Sequence, residues 1–348
     1  MPNNIVKSIH LKDFTVFQEN DLSFAKSINV ISGENGVGKT HLMKALYSVG
    51  SCLQKTEEST SKRLEEELAT KFVNVFRPDQ LGRLVKRKAG RHNANVQIQW
   101  YSESSLSLSF ATSSSKKVNL ELHKPQEKWP TMVFIPVKEM ISATENFTGL
   151  YETYHIAFEE TYYDLNKQLL LPLKRGPFEQ NQKELLKILE KALSGKIVQE
   201  NNKFYLKQTG IGKLEMGLLA EGYRKISTIV QLIANGTIQE NTILFWDEPE
   251  SNINPKMIPV LTKLFVQLAK LGVQLFISTH SYFLMQELGL FAEYENHDKL
   301  DIQFVSMFLE EDEVKIETAD QLKDLQHNVI EEEFQRLYTH EQELFFND

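Results

Sequence analysis

The chain shows two kinds of hydrophobic pattern, and each predicts a different element. Near the start, Ile5, Ile9 and Leu11 are interleaved with polar residues as in an edge hairpin, and 21–24 predicts another short strand. Short runs rich in apolar residues predict buried strands, which we place at 27–32, 131–136, 242–246 and 273–278. Apolar residues at helical spacing lie between them, over 41–52, 138–193, 218–233, 256–271 and 281–288. This alternation predicts an α/β fold with a largely parallel sheet and helices on its faces.

Residues 53–130 interrupt this pattern. A charged amphipathic helix is expected from Glu57 to Phe76, followed by three alternating runs that predict antiparallel strands, at 96–101, 106–110 and 118–122. We therefore expect a split head of residues 1–52 and 131–309, with 53–130 as an inserted α+β lobe. Residues 310–348 carry thirteen acids against three bases, with apolar residues at helical spacing, and we interpret them as an acidic helical C-terminal tail.

Composition narrows the class of protein. Of the 348 residues, 41% are hydrophobic and 25% are charged, which excludes a disordered chain and predicts a real core. The single cysteine, Cys52, cannot form an internal disulfide, and no window reaches the roughly 18–20 apolar residues of a membrane span. We therefore expect a cytoplasmic protein with no membrane partner. The net charge of −8 disfavours a protein that coats duplex nucleic acid and favours a protein partner.

The strongest chemical motif follows the first buried strand. Residues Gly33, Glu34, Asn35, Gly36, Val37, Gly38, Lys39 and Thr40 match G-x-x-x-x-G-K-[ST] in full, with the strand before and the helix after that the motif requires. Glycines let backbone N–H groups converge on a phosphate, and the start of the helix adds its dipole. Lys39 is expected to reach the β- and γ-phosphates of ATP, and the Thr40 hydroxyl to ligate Mg²⁺. His41 completes the predicted nucleotide contacts.

Two later strands end in candidate catalytic groups. Asp247 and Glu248 follow the apolar run 243–246, at the edge where α/β sheets bind ligands. Asp247 is predicted to hold Mg²⁺ and Glu248 to act as the general base for the attacking water; the alternative is a carboxylate pair that caps a helix. His280 follows the next buried strand and is predicted to contact the γ-phosphate, although a lone histidine in a loop is often merely solvated.

Four blocks in order, GENGVGKT, LAEGYRK, FWDEPESNINP and FISTHS, carry a family resemblance across residues 4–290. The chain resembles ABC-type ATPases of the non-transporter, AAA-family branch that includes SMC, RecF-like and OLD proteins. The resemblance implies a P-loop fold with an ABC-type head. It also implies homodimers or higher homo-oligomers, in which each ATP is closed between one subunit's phosphate loop and the other's signature helix. Glu221, Gly222, Tyr223 and Arg224 correspond to that signature segment.

Several positions depart from the family pattern. Ala220 stands where the signature serine is expected, so that Arg224 or Lys225 is a candidate replacement for its phosphate contact. Residues 251–255 look like the dimer-contacting D-loop. The glutamine expected after the strand at 131–136 is absent, leaving Lys138 or Glu139 as substitutes. Phe14 and Phe17 are candidates for stacking on adenine, and core positions are the alternative.

The resemblance is strongest to stand-alone ATPase subunits of bacterial anti-phage defence systems. It implies an ATP-hydrolysing switch that controls a separately encoded effector, such as a nuclease. The alternative is a RecF- or SMC-like DNA-maintenance ATPase that binds nucleic acid through the cations of Arg83–Arg91, which a simple solvated loop also explains. A transporter subunit and a scaffold that binds ATP without turnover are the remaining alternatives.

Overall fold

The computed structural model describes residues 4–54, 61–123 and 128–347. The strands are β1 (Val6–Phe14), β2 (Phe17–Ser23), β3 (Ile28–Gly33), β4 (Asn93–Trp100), β5 (Ser105–Ala111), β6 (Asn119–His123), β7 (Thr131–Ile135), β8 (Lys196–Glu200), β9 (Lys203–Gln208), β10 (Gly212–Glu215), β11 (Thr242–Asp247), β12 (Gln274–Ser278), β13 (Ile302–Glu310) and β14 (Glu313–Ala319). The α-helices are α1 (Lys39–Leu53), α2 (Ser61–Phe76), α3 (Phe147–Tyr154), α4 (Glu160–Leu169), α5 (Gln180–Leu193), α6 (Glu221–Ala234), α7 (Ile258–Lys270), α8 (Tyr282–Leu290) and α9 (Val329–Asn347). None of the helices within these residues is long and apolar enough to cross a membrane.

The central sheet has six strands in the order β14-β13-β3-β12-β11-β7. Strands β13, β3, β12, β11 and β7 are parallel, and β14 pairs antiparallel with β13. Alternate residues of β11 show that both faces are covered: Phe245 packs in one hydrophobic core and Leu244 in the other. Burial on both faces explains why the parallel strands are nearly continuous apolar runs. The predicted α/β class, with a mixed sheet between layers of helices, is confirmed.

A second, antiparallel sheet covers one face of the central sheet together with α1 and α2. Its order is β2-β1-β4-β5-β6, so that β4 of the expected lobe pairs directly with β1 of the expected head. Phe14, Phe72 and Phe110 contact one another in the shared core. The division into head and inserted lobe stays a prediction. The strands β1 and β2 of the expected head and β4, β5 and β6 of the expected lobe belong to one sheet. The beginning of the helix expected from Glu57 falls at 55–60, outside the described residues.

Residues 310–348 differ from the expected helical tail, because they begin with the last residue of β13 and with β14. Strands β13 and β14 form a hairpin at the edge of the central sheet, and only α9 is the expected helix. Val314 of β14 is 4% exposed, while the neighbouring positions of β14 are half-buried or exposed. Strand β14 is a short edge strand with one face in solvent, and charged residues occupy that face. Because these residues stand among the other acids of the segment, the alternating pattern of a strand is not visible in the sequence.

Candidate functional site

The phosphate loop leaves β3 at Gly33, and two of its glycines are required by geometry. Gly33 has φ 139°, and a Cβ there would lie 1.9 Å from the carbonyl oxygen of Met307 on β13. Gly38 has φ 98°, and a Cβ would lie 2.6 Å from Cγ2 of Val16. Both backbones therefore exclude other side chains. Of the residues between β3 and α1, 34–36 are exposed and Val37 is buried, which leaves the outer part of this turn open to a ligand.

Lys39 and Thr40 form the first turn of α1, directly after this loop. Lys39 donates from Nζ to the carbonyls of Gly33 at 3.0 Å and Glu34 at 2.7 Å, so its ammonium lies over the loop. Burial lowers the pKa of Lys39 to about 8, although Asp247, Glu248 and Glu34 oppose the shift. The Thr40 hydroxyl donates to Asp247, with distances of 3.2 and 3.0 Å to the two carboxylate oxygens.

Asp247 ends β11 beside the end of β12. The parallel register places Asp247 opposite Ser278, whose hydroxyl donates to the same carboxylate. Asp247 is 6% exposed. The oxygens of Thr40 and Asp247 are the hard ligands that Mg²⁺ prefers, and their direct hydrogen bond places both within reach of one ion. These residues therefore fit a magnesium ion shared with a nucleotide phosphate.

Glu248 and His280 lie together beyond these strand ends. His280 Nε2 is 3.8 Å from Oε1 of Glu248, and each side chain retains about a third of its exposure, 36% and 35%. Burial and the charge of Lys39 lower the pKa of His280. Glu250 anchors the turn that carries His280, because its Oε1 accepts from the Thr279 hydroxyl at 2.6 Å and from the His280 N–H at 3.0 Å. The site thus places a carboxylate beside a neutral imidazole.

The predicted signature segment begins α6. Ala220 is the N-cap, without a capping side chain, and Glu221 is the first helical residue. Gly222 approaches Ile253 of the expected D-loop, and Arg224 pairs with Glu139 at 3.2 Å. Lys225 is not available to replace the signature serine, because its ammonium is bound to backbone oxygens of residues 248–251. Gly222 and Arg224 thus lie against the loops that contain Ile253 and Glu139. Lys39 and Thr40 instead contact the phosphate loop and Asp247.

A cavity of 450 Å³ adjoins the phosphate loop and is the candidate nucleoside pocket. Its lining includes Gly36 and His41 and comes from four parts of the chain: Thr15, Val16, Gly36, His41, Arg83, Leu84, Val85, Lys86, Arg87, Leu309, Asp312 and Val314. Burial lowers the pKa of His41 to about 4, with a smaller contribution from Lys44, so that this imidazole is neutral. A larger cavity of 540 Å³ includes Ser27 and Val273, which precede β3 and β12, and so lies at the opposite edge of the sheet.

Phe14 and Phe17 do not line the nucleoside pocket. Both are 0% exposed and belong to the core, which excludes them as partners that stack on adenine. Two cations of Arg83–Arg91 are held within the chain: Lys86 donates to the carbonyl of Val16 at 2.8 Å, and Lys88 donates to Asp13 at 2.5 Å.

The fold is similar to that of SMC head domains. The SMC head bound to the C-winged helix domain of ScpA has a TM-score of 0.59 at 13% identity, over 91% of this chain and 98% of that chain. An SMC head with an extended coiled coil, bound to the C-terminal domain of ScpA derived from Pyrococcus furiosus, has a TM-score of 0.55 at 13% identity, over 90% and 96%. At this identity the similarity establishes the fold alone.

Sequence relatives are DNA replication and repair proteins RecF. The Tropheryma whipplei protein is 40% identical over 47 residues, which is 14% of this chain and 13% of that protein. The Desulfitobacterium hafniense protein is 32% identical over 71 residues (20% and 18%), and the Bacillus cereus protein 28% over 94 residues (27% and 22%). The chain therefore matches less than a quarter of the length of each of these relatives.

The family model described as "AAA domain, putative AbiEii toxin, Type IV TA system" matches residues 104–286, more than half of the chain. The chain belongs to this AAA-domain family. The match includes Asp247, Glu248, His280 and the start of α6 and ends before β13. The expected AAA-family membership is confirmed, and the finer placement in a branch with SMC and RecF stays a prediction.

Within this AAA-domain protein, the structure brings Lys39, Thr40, Asp247, Glu248 and His280 to one edge of the sheet, as the motifs predicted. Sequence reasoning missed the supporting residues Ser278, Thr279 and Glu250, which orient Asp247 and His280. The polar run Ser278-Thr279 at the strand end and the third acid of DEPE, Glu250, were the available signals. It also missed the structural use of Lys225.

Proposed function

We propose that this chain is a Mg²⁺-dependent ATPase. The observation that carries the proposal is the hydrogen bond from Thr40, in the phosphate loop, to Asp247, beside Glu248 and His280. Lys39 would neutralise the β- and γ-phosphate oxygens, and Thr40 and Asp247 would hold the ion, which supplies further charge neutralisation. The nucleoside would occupy the cavity beside Gly36 and His41.

Glu248 is the proposed general base. It takes a proton from water while the water oxygen attacks the γ-phosphorus, and the bond to the β-γ bridging oxygen breaks to release ADP. His280, as a neutral imidazole, can hydrogen-bond the γ-phosphate or the water. Its distance of 3.8 Å from Glu248 allows both groups to face the same reacting atoms.

Glu248→Gln tests hydrolysis separately from binding. We expect the wild type to release phosphate only with Mg²⁺, and Glu248→Gln to lower kcat by about 100-fold or more while its Kd for ATP stays close to that of the wild type. Lys39→Ala is the contrasting variant, and it should lose ATP affinity. A wild type that binds ATP and releases no phosphate would instead be the non-catalytic scaffold.

We further propose that ATP closes a homodimer and that this switch controls a separate effector, in the manner of anti-phage ATPase subunits. The acidic net charge of −8, which disfavours nucleic acid as the main partner, supports a protein partner. The test is to assay the product of a neighbouring nuclease gene alone and with this chain, in ATP and in ADP. Nuclease activity that is independent of the chain and the nucleotide would refute this role.

A DNA-maintenance role is the second candidate, and the similarity to RecF supports it. Arg83, Arg87 and Arg91 are exposed cations of this stretch, whereas Lys86 and Lys88 have partners within the chain; we choose Arg87 and Arg91 for the test. On this hypothesis Arg87→Glu/Arg91→Glu abolishes an electrophoretic shift of duplex DNA that the wild type produces. Since Arg87 lines the nucleoside pocket, ATP affinity is measured in parallel. Absent or unchanged DNA binding refutes the basic stretch as a DNA surface.

A further inference from the structure

Lys225 is a buried lysine whose ammonium is surrounded by oxygens of the protein. The residue lies in the second turn of α6 and is 1% exposed. Its Nζ is 3.1 Å from the carbonyl oxygen of Glu248 and 2.8 Å from that of Ser251. The Ser251 hydroxyl at 2.9 Å and the Pro249 carbonyl at 3.4 Å complete the set. An ammonium has three N–H donors, and these four acceptors use all of them.

The acceptors of Lys225 belong to the turn that carries the proposed general base. Glu248 has φ 45°, a left-handed conformation that is uncommon for a residue with a side chain. Its N–H donates to the carbonyl of Ser278 at 3.1 Å, and its own carbonyl accepts from Lys225 at 3.1 Å. The turn is thus held on one side by β12 and on the other by α6.

The same turn continues into Glu250, which holds the backbone of His280. Lys225 therefore connects the start of α6 with both groups that are proposed to act on the γ-phosphate. In the proposed dimer the start of α6 faces the partner's nucleotide. The buried side chain of Lys225 then joins the Glu248 turn, which would act on the ATP of its own subunit, to the start of α6, which would bind the ATP of the partner.

We propose that Lys225 is a positioning residue for hydrolysis: its ammonium fixes the Glu248 turn against the first turns of α6. This inference rests on the proposed ATPase function. Lys225 itself does not touch substrate and works through the backbone of Glu248, Pro249 and Ser251. A purely structural lysine would instead stabilise the fold without affecting turnover per folded molecule.

Two substitutions of Lys225 separate the effect of its charge and donors from that of its side-chain volume. Lys225→Met has a similar volume but no donor, so that the carbonyls of the turn lose their partner and Glu248 is no longer held in place. Lys225→Arg keeps donors and charge, but its planar guanidinium presents them in a different geometry. We therefore expect Met to be the more damaging substitution and Arg to restore part of the loss.

Gln274→Met is a matched control. Gln274 is 0% exposed and also binds backbone groups, donating to the carbonyls of Val6 and Ala25 and accepting from the N–H of Val6. It begins β12, whose opposite end carries Ser278, so it lies at the far edge of the sheet from the site. The substitution removes buried hydrogen bonds without touching the Glu248 turn.

The experiment measures Tm, the Kd for ATP and the kcat of phosphate release in the full chain. We expect Lys225→Met to lower kcat by about tenfold to 100-fold with Kd changed less than about threefold, and Lys225→Arg to recover part of kcat. Gln274→Met should lower Tm and leave kcat within about twofold of the wild type. If Lys225→Met does not fold, Ser251→Ala removes one acceptor and should lower kcat in the same direction.

Each result decides the proposal. A Lys225→Met protein with the kcat of the wild type, or one whose losses match those of Gln274→Met, overturns the positioning role; so does an unchanged kcat in Ser251→Ala when Lys225→Met does not fold. That outcome leaves the ATPase function intact, since the wild type still hydrolyses ATP. A wild type that binds ATP without releasing phosphate overturns both proposals.

Discussion

At the scale of single residues, burial sets the protonation of the groups around the phosphate loop. Burial lowers the pKa of Lys39 to about 8 and of His41 to about 4, and burial together with Lys39 lowers that of His280. At neutral pH both imidazoles are neutral, while Lys39 keeps most of its charge. The phosphate loop therefore presents the ammonium of Lys39 to a phosphate, and its protonation changes just above neutral pH.

This arrangement predicts that ATP affinity weakens as pH rises through about 8. The pKa of Lys39 lies below its ordinary 10.5. A bound phosphate stabilises the ammonium and raises that pKa, so that binding takes up a proton once Lys39 has begun to deprotonate. We expect Kd to increase about tenfold between pH 7 and pH 9. Isothermal titration calorimetry in two buffers of different ionisation enthalpy measures both Kd and the proton uptake.

Lys39→Arg supplies the control for this pH dependence, because a guanidinium stays charged across the whole range. Its affinity should be lower than that of the wild type at pH 7 but nearly independent of pH. A wild-type Kd that is the same at pH 7 and pH 9 contradicts the assignment of the titration to Lys39.

The limits of sequence reasoning are clearest at particular residues. Lys39, Thr40 and Asp247 were predictable because fixed spacing and a strand end define their chemistry. Phe14 was ambiguous, because an aromatic that stacks on a base and one that fills a core have the same pattern. Lys225 could not be found, because its partners are backbone carbonyls 23 to 26 positions away, and these leave no mark in sequence.

At the scale of elements, a buried ion-pair network ties together three helices around the phosphate loop. Lys71 on α2 is 2.8 Å from Glu160 on α4 and also pairs with Asp164, which accepts from Tyr47 on α1 at 2.6 Å. Burial lowers the pKa of Lys71, but the two carboxylates outweigh it, so that the net shift is upward. The helix that begins with Lys39 and Thr40 is thus fixed to α4 and to α2.

Lys71→Met is expected to destabilise the protein by about 3 kcal/mol, because it leaves two largely buried carboxylates without their cation. Urea unfolding followed by circular dichroism measures this change. Lys12→Met is the matched control, since the Lys12–Glu19 pair lies at the surface with side chains 50% and 55% exposed, and it should change stability by less than about 1 kcal/mol. Equal effects of the two substitutions would contradict the importance of the network.

At the scale of the whole molecule, the two halves of the proposed composite ATP site lie in different parts of one chain. The phosphate loop, Asp247, Glu248 and His280 meet at one edge of the central sheet, while Gly222 lies beside Ile253 and Arg224 pairs with Glu139. Two copies arranged head to tail would place the start of α6 of one copy over the phosphate loop of the other. Backbone N–H groups at that helix start would then bind the γ-phosphate.

Gly222→Asp tests this arrangement without damaging the monomer. A Cβ at Gly222 would lie 3.5 Å from Cγ1 of Ile253, an ordinary contact, and a carboxylate in the first turn of a helix favours the helix dipole. In the proposed dimer the same carboxylate faces the partner's γ-phosphate, and like charges repel. In a Glu248→Gln background with ATP and Mg²⁺, we expect light scattering to show a dimer that Gly222→Asp abolishes, while its Tm without nucleotide is unchanged.

Gly217→Asp adds the same charge five residues earlier, at a position where a Cβ meets nothing within 4 Å. Because it lies outside α6, this variant should still form the dimer with ATP and should have the Tm of its parent. Loss of the dimer in both variants would indicate a general effect of charge. Retention of the dimer in Gly222→Asp would show that the start of α6 does not face the nucleotide, and the composite site would then have to be formed by another surface.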